Sequence, residues 1–187
     1  FSKNFGFEKV EDLRKAIESD ILNKKQGQEK ARFEDSVLQN LVENSTIDLP
    51  DALVEQEKDM ITNRFVHDLE HHKGIKFADY LISLGKNEKE FRDGFTQHAI
   101  TNIKVGLIIG QIAKDEKVEV NESDIEEVMA VDVINQTAGL QGDKAIAAEE
   151  KIKERYKDDE FLQSIRNSIL ARKTVDLIVD TLGADKN

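Results

Sequence analysis

His67, His71 and His72 fall in the run His67-Asp-Leu-Glu-His-His-Lys-Gly74. The first two are one helical turn apart, a spacing at which two imidazoles could share a metal ion. A zinc-protease signature needs Glu directly after the first His, and Asp68 stands there instead. A di-iron bundle needs paired Glu-x-x-His motifs, and the remaining histidine, His98, has Phe95 three positions before it. An exposed helix end, where imidazoles meet the negative pole of the helix dipole, accounts for these residues without a ligand. The acid pairs Glu149-Glu150 and Asp158-Asp159 lie in charged helical stretches and read as solvated faces. The chain has no Gly-x-Ser-x-Gly elbow, no Gly-x-x-x-x-Gly-Lys-Ser/Thr loop and no cysteine, so nucleophile, phosphate-cradle and thiolate chemistry have no carrier. The expectation is no catalytic residue, no metal and no cofactor.

Charge narrows the partners. Over 187 residues, 27 Lys and Arg stand against 38 Asp and Glu, a formal charge of -11 with both signs interspersed. Phosphate binding needs a basic face, so direct nucleic-acid binding is not expected. An acidic surface also repels anionic lipid, which argues against a membrane partner. The lack of cysteine fits a reducing cytoplasm. A chain that opens at Phe1 is expected to be a fragment or one whose beginning was removed.

The elements that must position any site are helical. One proline, no tryptophan, two tyrosines and abundant Glu, Lys, Ile, Leu and Ala suit long helices and suit strands poorly. The spacing of Val10, Leu13, Ile17, Ile21, Phe33, Val37 and Leu41 predicts a helix from Glu8 to about Asn44, kinked or frayed near Gly27. Its stripe vanishes between Asn23 and Arg32, which predicts an exposed strut. Asp48 as cap and Pro50 in the first turn predict a second helix to about Lys73. Phe77–Leu84 reads as a short helix closed by Gly85. Asn87 with Glu90 forms a capping box that opens a helix to about Glu116. Ser123 with Glu126 reads as the box of a helix ending near Ala138, followed by helices over Asp143–Tyr156 and Asp159–Leu182.

The run Val105-Gly-Leu-Ile-Ile-Gly-Gln-Ile-Ala113 is the most apolar in the chain. Nine residues are about half a bilayer span, and the glycines lack the Lys-Ser/Thr of a phosphate loop. The expectation is a buried helix in which Gly106 and Gly110 share a face and admit a neighbouring helix, making this the most buried point of the structure.

Four segments, taken in order, resemble the C-terminal domain of trigger factor, the bacterial ribosome-associated chaperone. They are Phe1–Phe7 with Glu11-Asp-Leu13, Ile47–Glu57 (Ile-Asp-Leu-Pro-Asp-Ala-Leu-Val-Glu-Gln-Glu), Val105–Gly110, and Arg166-Asn167 with Leu170, Val175 and Asp176. The resemblance covers nearly the whole chain. It implies an all-α fold, an elongated helical body bearing two helical-hairpin arms that enclose a cradle for unfolded chains. On this sequence it gives a linker and body helix over 1–49, arm 1 over 50–95, a body helix over 96–117, arm 2 over 118–161 and a body helix over 162–187. The Gly-Phe-Arg ribosome-docking signature and the prolyl isomerase domain of the family are not in this sequence, and Asn187 stops short of the tail of some members. The implied partners are unfolded or nascent polypeptides, with the ribosome reached only through the missing N-terminal domain; self-association stays open. No enzyme activity is implied for this chain.

Long two-helix arms cannot bury every apolar position. Met60, Phe65, Phe77, Tyr80, Phe91, Met129 and Ile146 are therefore the candidates to face clients, each with a competing place in its own arm's core, while Gly106, Gly110 and Pro50 are the structural positions. The competing reading is a helical scaffold or adaptor that binds one folded partner through an arm.

Overall fold

A computed structural model of the chain describes residue 6 and residues 9–184, without the side chains of residues 183 and 184. Phe1–Phe7, the first family-like segment, lies outside the described residues except for Gly6. Among the described residues every regular element is an α-helix, as the composition predicts. The chain divides after Asn44 into two compact units.

The first unit is α1, Val10–Glu43. It runs without interruption through Gly27, where the sequence predicts a kink or fraying. One interior glycine costs about 1 kcal/mol against alanine, a penalty that a helix of 34 residues absorbs because propagation is cooperative. Ion pairs along the surface support the same stretch, with Lys24 Nζ 2.7 Å from Asp20 and Arg32 Nη1 2.8 Å from Glu29. Residues 17–32 are all exposed, Ile17, Ile21 and Leu22 included, and Val37 is the buried apolar residue of the helix.

The second unit opens with α2, Asp51–His71. Pro50 sits at the N-cap position, one residue before its expected place, with φ -60° and ψ 135° and no side-chain cap, so the cap predicted for Asp48 does not form. The Pro50 carbonyl accepts the Leu53 amide at 2.9 Å, and its fixed φ pre-sets the turn. Then come α3, Phe77–Leu84, and α4, Glu88–Asp93. The carboxylate of Glu70 accepts the first amide of α3 at 3.1 Å, and Gly85 ends that helix in the left-handed region at φ 63°. The Asn87–Glu90 box forms at 2.9 and 3.0 Å.

One predicted helix, Asn87 to Glu116, is two: α4 breaks at Gly94 before α5, Thr96–Asp115. A Cβ at Gly94 would lie 3.1 Å from the Phe91 carbonyl oxygen, so the tight turn suits glycine. Gly106 and Gly110 overturn their expectation. Among the described residues nothing lies within 4 Å of a Cβ built at either position, and Gly106 is exposed. The close approaches of α5 are made by Ala99 and Ala113, which are buried while Leu107 is exposed. Apolar residues around the whole circumference do not make a helix central when its partners, α2 and α8, lie along only part of it.

Lys117 takes φ 52° and lets the Val118 amide reach back to the Ala113 carbonyl at 2.9 Å, which closes α5. Helices α6, Glu122–Thr137, α7, Asp143–Arg155, and α8, Asp159–Ala184, complete the unit. The cap of α6 lies two residues before the predicted Ser123 box: Asn121 is the extended N-cap residue, and Asp124 accepts its amide at 2.7 Å. Ile125, Ile152, Tyr156 and Ile169 form the buried cluster on which α6, α7 and α8 meet.

Candidate functional site

The aromatic residues among the seven client candidates converge. Phe91 is 9% exposed, with ring centroids 5.1 Å from Phe65, 5.3 Å from Phe77, 6.0 Å from Tyr80 and 5.2 Å from Phe95. Three of these pairs are edge-to-face and the Phe65 pair is tilted, arrangements that the ring quadrupoles favour. Phe91 is therefore interior to helices α2–α5, which form the first hairpin as α6–α8 form the second, and is not a client-facing residue; Phe65, Phe77 and Tyr80 are half-buried around it. Met129 packs against the Ile125–Ile152–Tyr156–Ile169 cluster. Of the seven, Met60 and Ile146 are the two open to solvent, at 49% and 58%.

Exposed apolar residues outside those seven include Ile75, Ile82, Leu84, Val131, Ile134 and Leu140, besides Leu22 on α1 and Leu177 on α8. Ile82 is 78% exposed and Ile134 67%. The signal that could have found Ile82 is helical phase: Phe77, Tyr80, Leu81 and Leu84 fill one face of α3 at spacings of three and four, and Ile82 falls off it.

A charged clasp holds the base of the first hairpin. Lys58 on α2 keeps only 5% of its side chain exposed, and its Nζ donates to Asp93 at 2.7 Å and to Glu55 at 3.0 Å. Arg92 donates through Nε to Asp59, through Nη1 to the Glu55 carboxylate and through Nη2 to the Glu55 carbonyl. The Asp93 hydrogen bond, followed by that of Glu55, raises the Lys58 pKa, and burial opposes the rise. Lys58 in turn holds Asp93 below the usual carboxylate range. Glu55 is lowered by Lys58 and then Arg92, and Asp59 by Arg92. These shifts belong to a structural network: every carboxylate in it already faces a cation.

In the second hairpin, Tyr156 donates its hydroxyl to Asp132 at 2.9 Å, and burial first, then that bond, pushes its pKa up to about 12. Arg166 reaches Glu122 at 2.6 Å and Lys173 reaches Asp124 at 2.8 Å, which ties α8 to the first turn of α6. An open groove of about 430 Å³ runs between these two helices over Val128, Ile165 and Ile169. Asp158 accepts the Phe161 amide at 2.8 Å, so this acid is a helix cap. The His67 and His71 rings stand 4.5 Å apart on an exposed face. Among the described residues no group of three or more His, Cys, Asp or Glu side chains is placed to hold a metal.

Residues 9–180 match the family model described as the C-terminus of the bacterial trigger factor protein. The chain belongs to this family. It is similar to the trigger factor of Agathobacter rectalis, 28% identical over 177 residues that cover 95% of this chain and 38% of the relative. It is also similar to the trigger factor of Ruminiclostridium cellulolyticum, 30% identical over 173 residues, 90% of this chain and 38% of the relative. The chain thus spans about two fifths of the length of the curated relatives it matches. A solved structure of domains of trigger factor from Thermotoga maritima superimposes with a TM-score of 0.56 at 20% identity, covering 93% of this chain and 95% of that one, and so shares the fold. On the trigger factor fold the family-like residues have structural tasks: Pro50 starts α2 and Arg166 ties α8 to α6. Among the described residues no helix is long and apolar enough to cross a membrane.

Proposed function

We propose that this trigger factor C-terminal domain transiently binds segments of unfolded or nascent polypeptide on exposed aliphatic positions of its helical hairpins and limits their aggregation, with no chemical step. The observation that carries this is the exposure of Ile82 on α3, Ile134 on α6 and Ile146 on α7 in a chaperone family's C-terminal domain. Single exposed apolar residues are ordinary. Here they recur on both hairpins, while the aromatics that could have bound clients are committed to the interior.

Burying one such side chain contributes roughly 1.5 to 3 kcal/mol when complete and less when partial. Association and ordering costs offset much of that, so client affinity is on the order of micromolar or weaker, with fast release. The interspersed charges keep the free surface soluble. The division into two arms and a body is the arrangement this reading uses, and the bacterial cytoplasm, where nascent chains emerge, is its setting. Ribosome docking and prolyl isomerisation fall to other domains of the family.

The test is suppression of aggregation. At micromolar concentration the domain should lower light scattering from several unrelated denatured proteins diluted into buffer. Unchanged scattering with helices intact by circular dichroism overturns the reading, and binding to one folded partner at fixed stoichiometry would replace it with the adaptor.

A further inference from the structure

Helix α3 is apolar around most of its circumference and still buries nothing. Six of its eight residues, Phe77, Ala78, Tyr80, Leu81, Ile82 and Leu84, are apolar, a composition that ordinarily belongs inside a protein. Yet among the described residues it is the one helix with no buried position; each of the others has at least one. Phe77 and Tyr80 are half-buried over Phe91 and Phe65, while Ile82 and Leu84 are exposed. A helix this short does not persist alone in water, so its docking on the rings keeps it in shape. The attachments are light. Lys76 at the N-cap supplies no side-chain cap, and Glu70 accepts the Phe77 amide. Gly74 and Gly85, at φ 66° and 63°, make the two corners, and no described atom lies within 4 Å of a Cβ built at either. An open space of about 420 Å³ bordered by Glu70, Gly74 and Ile75 lies at the first corner.

We infer that α3 is a cover over a second, aromatic client site: it lifts as a unit, and a Phe or Tyr side chain of an unfolded polypeptide takes the place that Phe77 or Tyr80 leaves. This rests on the client-holding function proposed above. Phe65 and Phe91, 5.1 Å apart, belong to α2 and α4, and Phe95, 5.2 Å from Phe91, is the N-cap residue of α5. All three rings therefore stay anchored when α3 leaves. The surface it vacates is lined by ring faces and edges, which favour another ring over an aliphatic chain. A client that binds only the lifted form is weakened by the fraction of molecules that are closed, which keeps release fast. The exposed aliphatic positions then meet any apolar segment without a change of shape, and the covered site answers to segments that carry a ring.

The experiment is amide hydrogen exchange of the whole chain, free and with a saturating amount of either of two unstructured peptides. The peptides match in length and charge; one carries Phe in its core and the other Leu at the same positions. In the free chain the α3 amides should exchange together about tenfold faster than those of the second half of α2. The Phe peptide should raise the α3 rate a further factor of about three, because it holds the cover open, and the Leu peptide should leave it unchanged. Glu70→Ala alters an exposed position and removes the acceptor of the Phe77 amide. It should speed α3 exchange and lower the half-saturating concentration of the Phe peptide by the same factor, about threefold. Gly85→Ala, which strains the second corner, should act in the same sense. A Phe peptide that binds while α3 exchange slows or stays unchanged overturns the cover and leaves the holding function standing. So does a variant that speeds α3 exchange without tightening the Phe peptide. If neither peptide binds, and aggregation of denatured proteins is also unaffected, both fall.

Discussion

The first hairpin gathers five rings near a buried Leu69, with Phe91 the buried ring among them, whereas the second buries branched aliphatics together with one ring, Tyr156. Phe65, Phe77, Tyr80, Phe91 and Phe95 stack within about 6.4 Å of one or more partners over α2, α3, α4 and the start of α5. In α6–α8 the buried positions are Ile125, Ile152, Ile169 and Tyr156, with Phe161 packed beside them. The polar supports differ in the same way. A nearly buried Lys58 between two carboxylates closes the first, and a tyrosine hydroxyl on Asp132 closes the second. In both, the apolar surface that remains outside is aliphatic. Large rings bury the most area per residue and are consumed by folding, so the residues left for other chains are those whose loss to solvent is least expensive.

The comparison can be broken most forcefully at Phe91. Phe91→Ala should remove about 3 kcal/mol of stability through cavity formation in the ring cluster, read from the urea midpoint. A loss below about 1 kcal/mol would show that the rings are a lining and not an interior.

Lys58→Met should come next, with a fall in Tm that depends on pH. The carboxylates of Asp93, Glu55 and Asp59 are depressed in the folded protein, so their contribution is present above the ordinary carboxylate values and is lost as pH falls through the lowered ones. The Lys58 pKa is raised, so its contribution is whole below the ordinary lysine value and is lost as pH climbs through the raised one. The difference in Tm between wild type and variant should therefore be greatest from roughly pH 5.5 to 9.5 and should narrow on both sides. A difference that fails to narrow below about pH 4 and above about pH 10.5 would remove the clasp from the account.

Tyr156→Phe sharpens the second hairpin. It deletes one hydrogen bond and keeps the ring, so about 1 kcal/mol should be lost, again by chemical denaturation. The smallest effect has the opposite sign. Gly106→Ala should add roughly 0.5 to 1 kcal/mol, since the site is open and helical; destabilisation there would restore the close-packing expectation.

Much of the helical order is legible in the sequence because caps and periodicity are local. The Asn87–Glu90 box, Gly85 as a stop and the α7 and α8 boundaries need only neighbouring residues. What fails is the step from apolar to buried. Val105–Ala113 is the most apolar run and still exposes Leu107, because burial depends on which neighbours arrive and from which side. The client candidates fail for the same reason: Phe91 is chosen for its size, and size is what draws a ring inside. Ile82 and Ile134 could be found only by asking which isoleucines fall out of phase with the buried face of their own helix.

The middle of α1 stands in water on all sides for the length of residues 17–32, with surface ion pairs as its visible support. Such a segment opens locally at little expense compared with the packed unit that follows. To a protease it is the weakest mile of the chain, and it presents Lys24, Lys25, Lys30 and Arg32 within that span. Brief trypsin treatment should cut there first and, since residues 33–57 contain no Lys or Arg, leave a lasting fragment that begins no later than Phe33 and carries the whole second unit as a band on a gel.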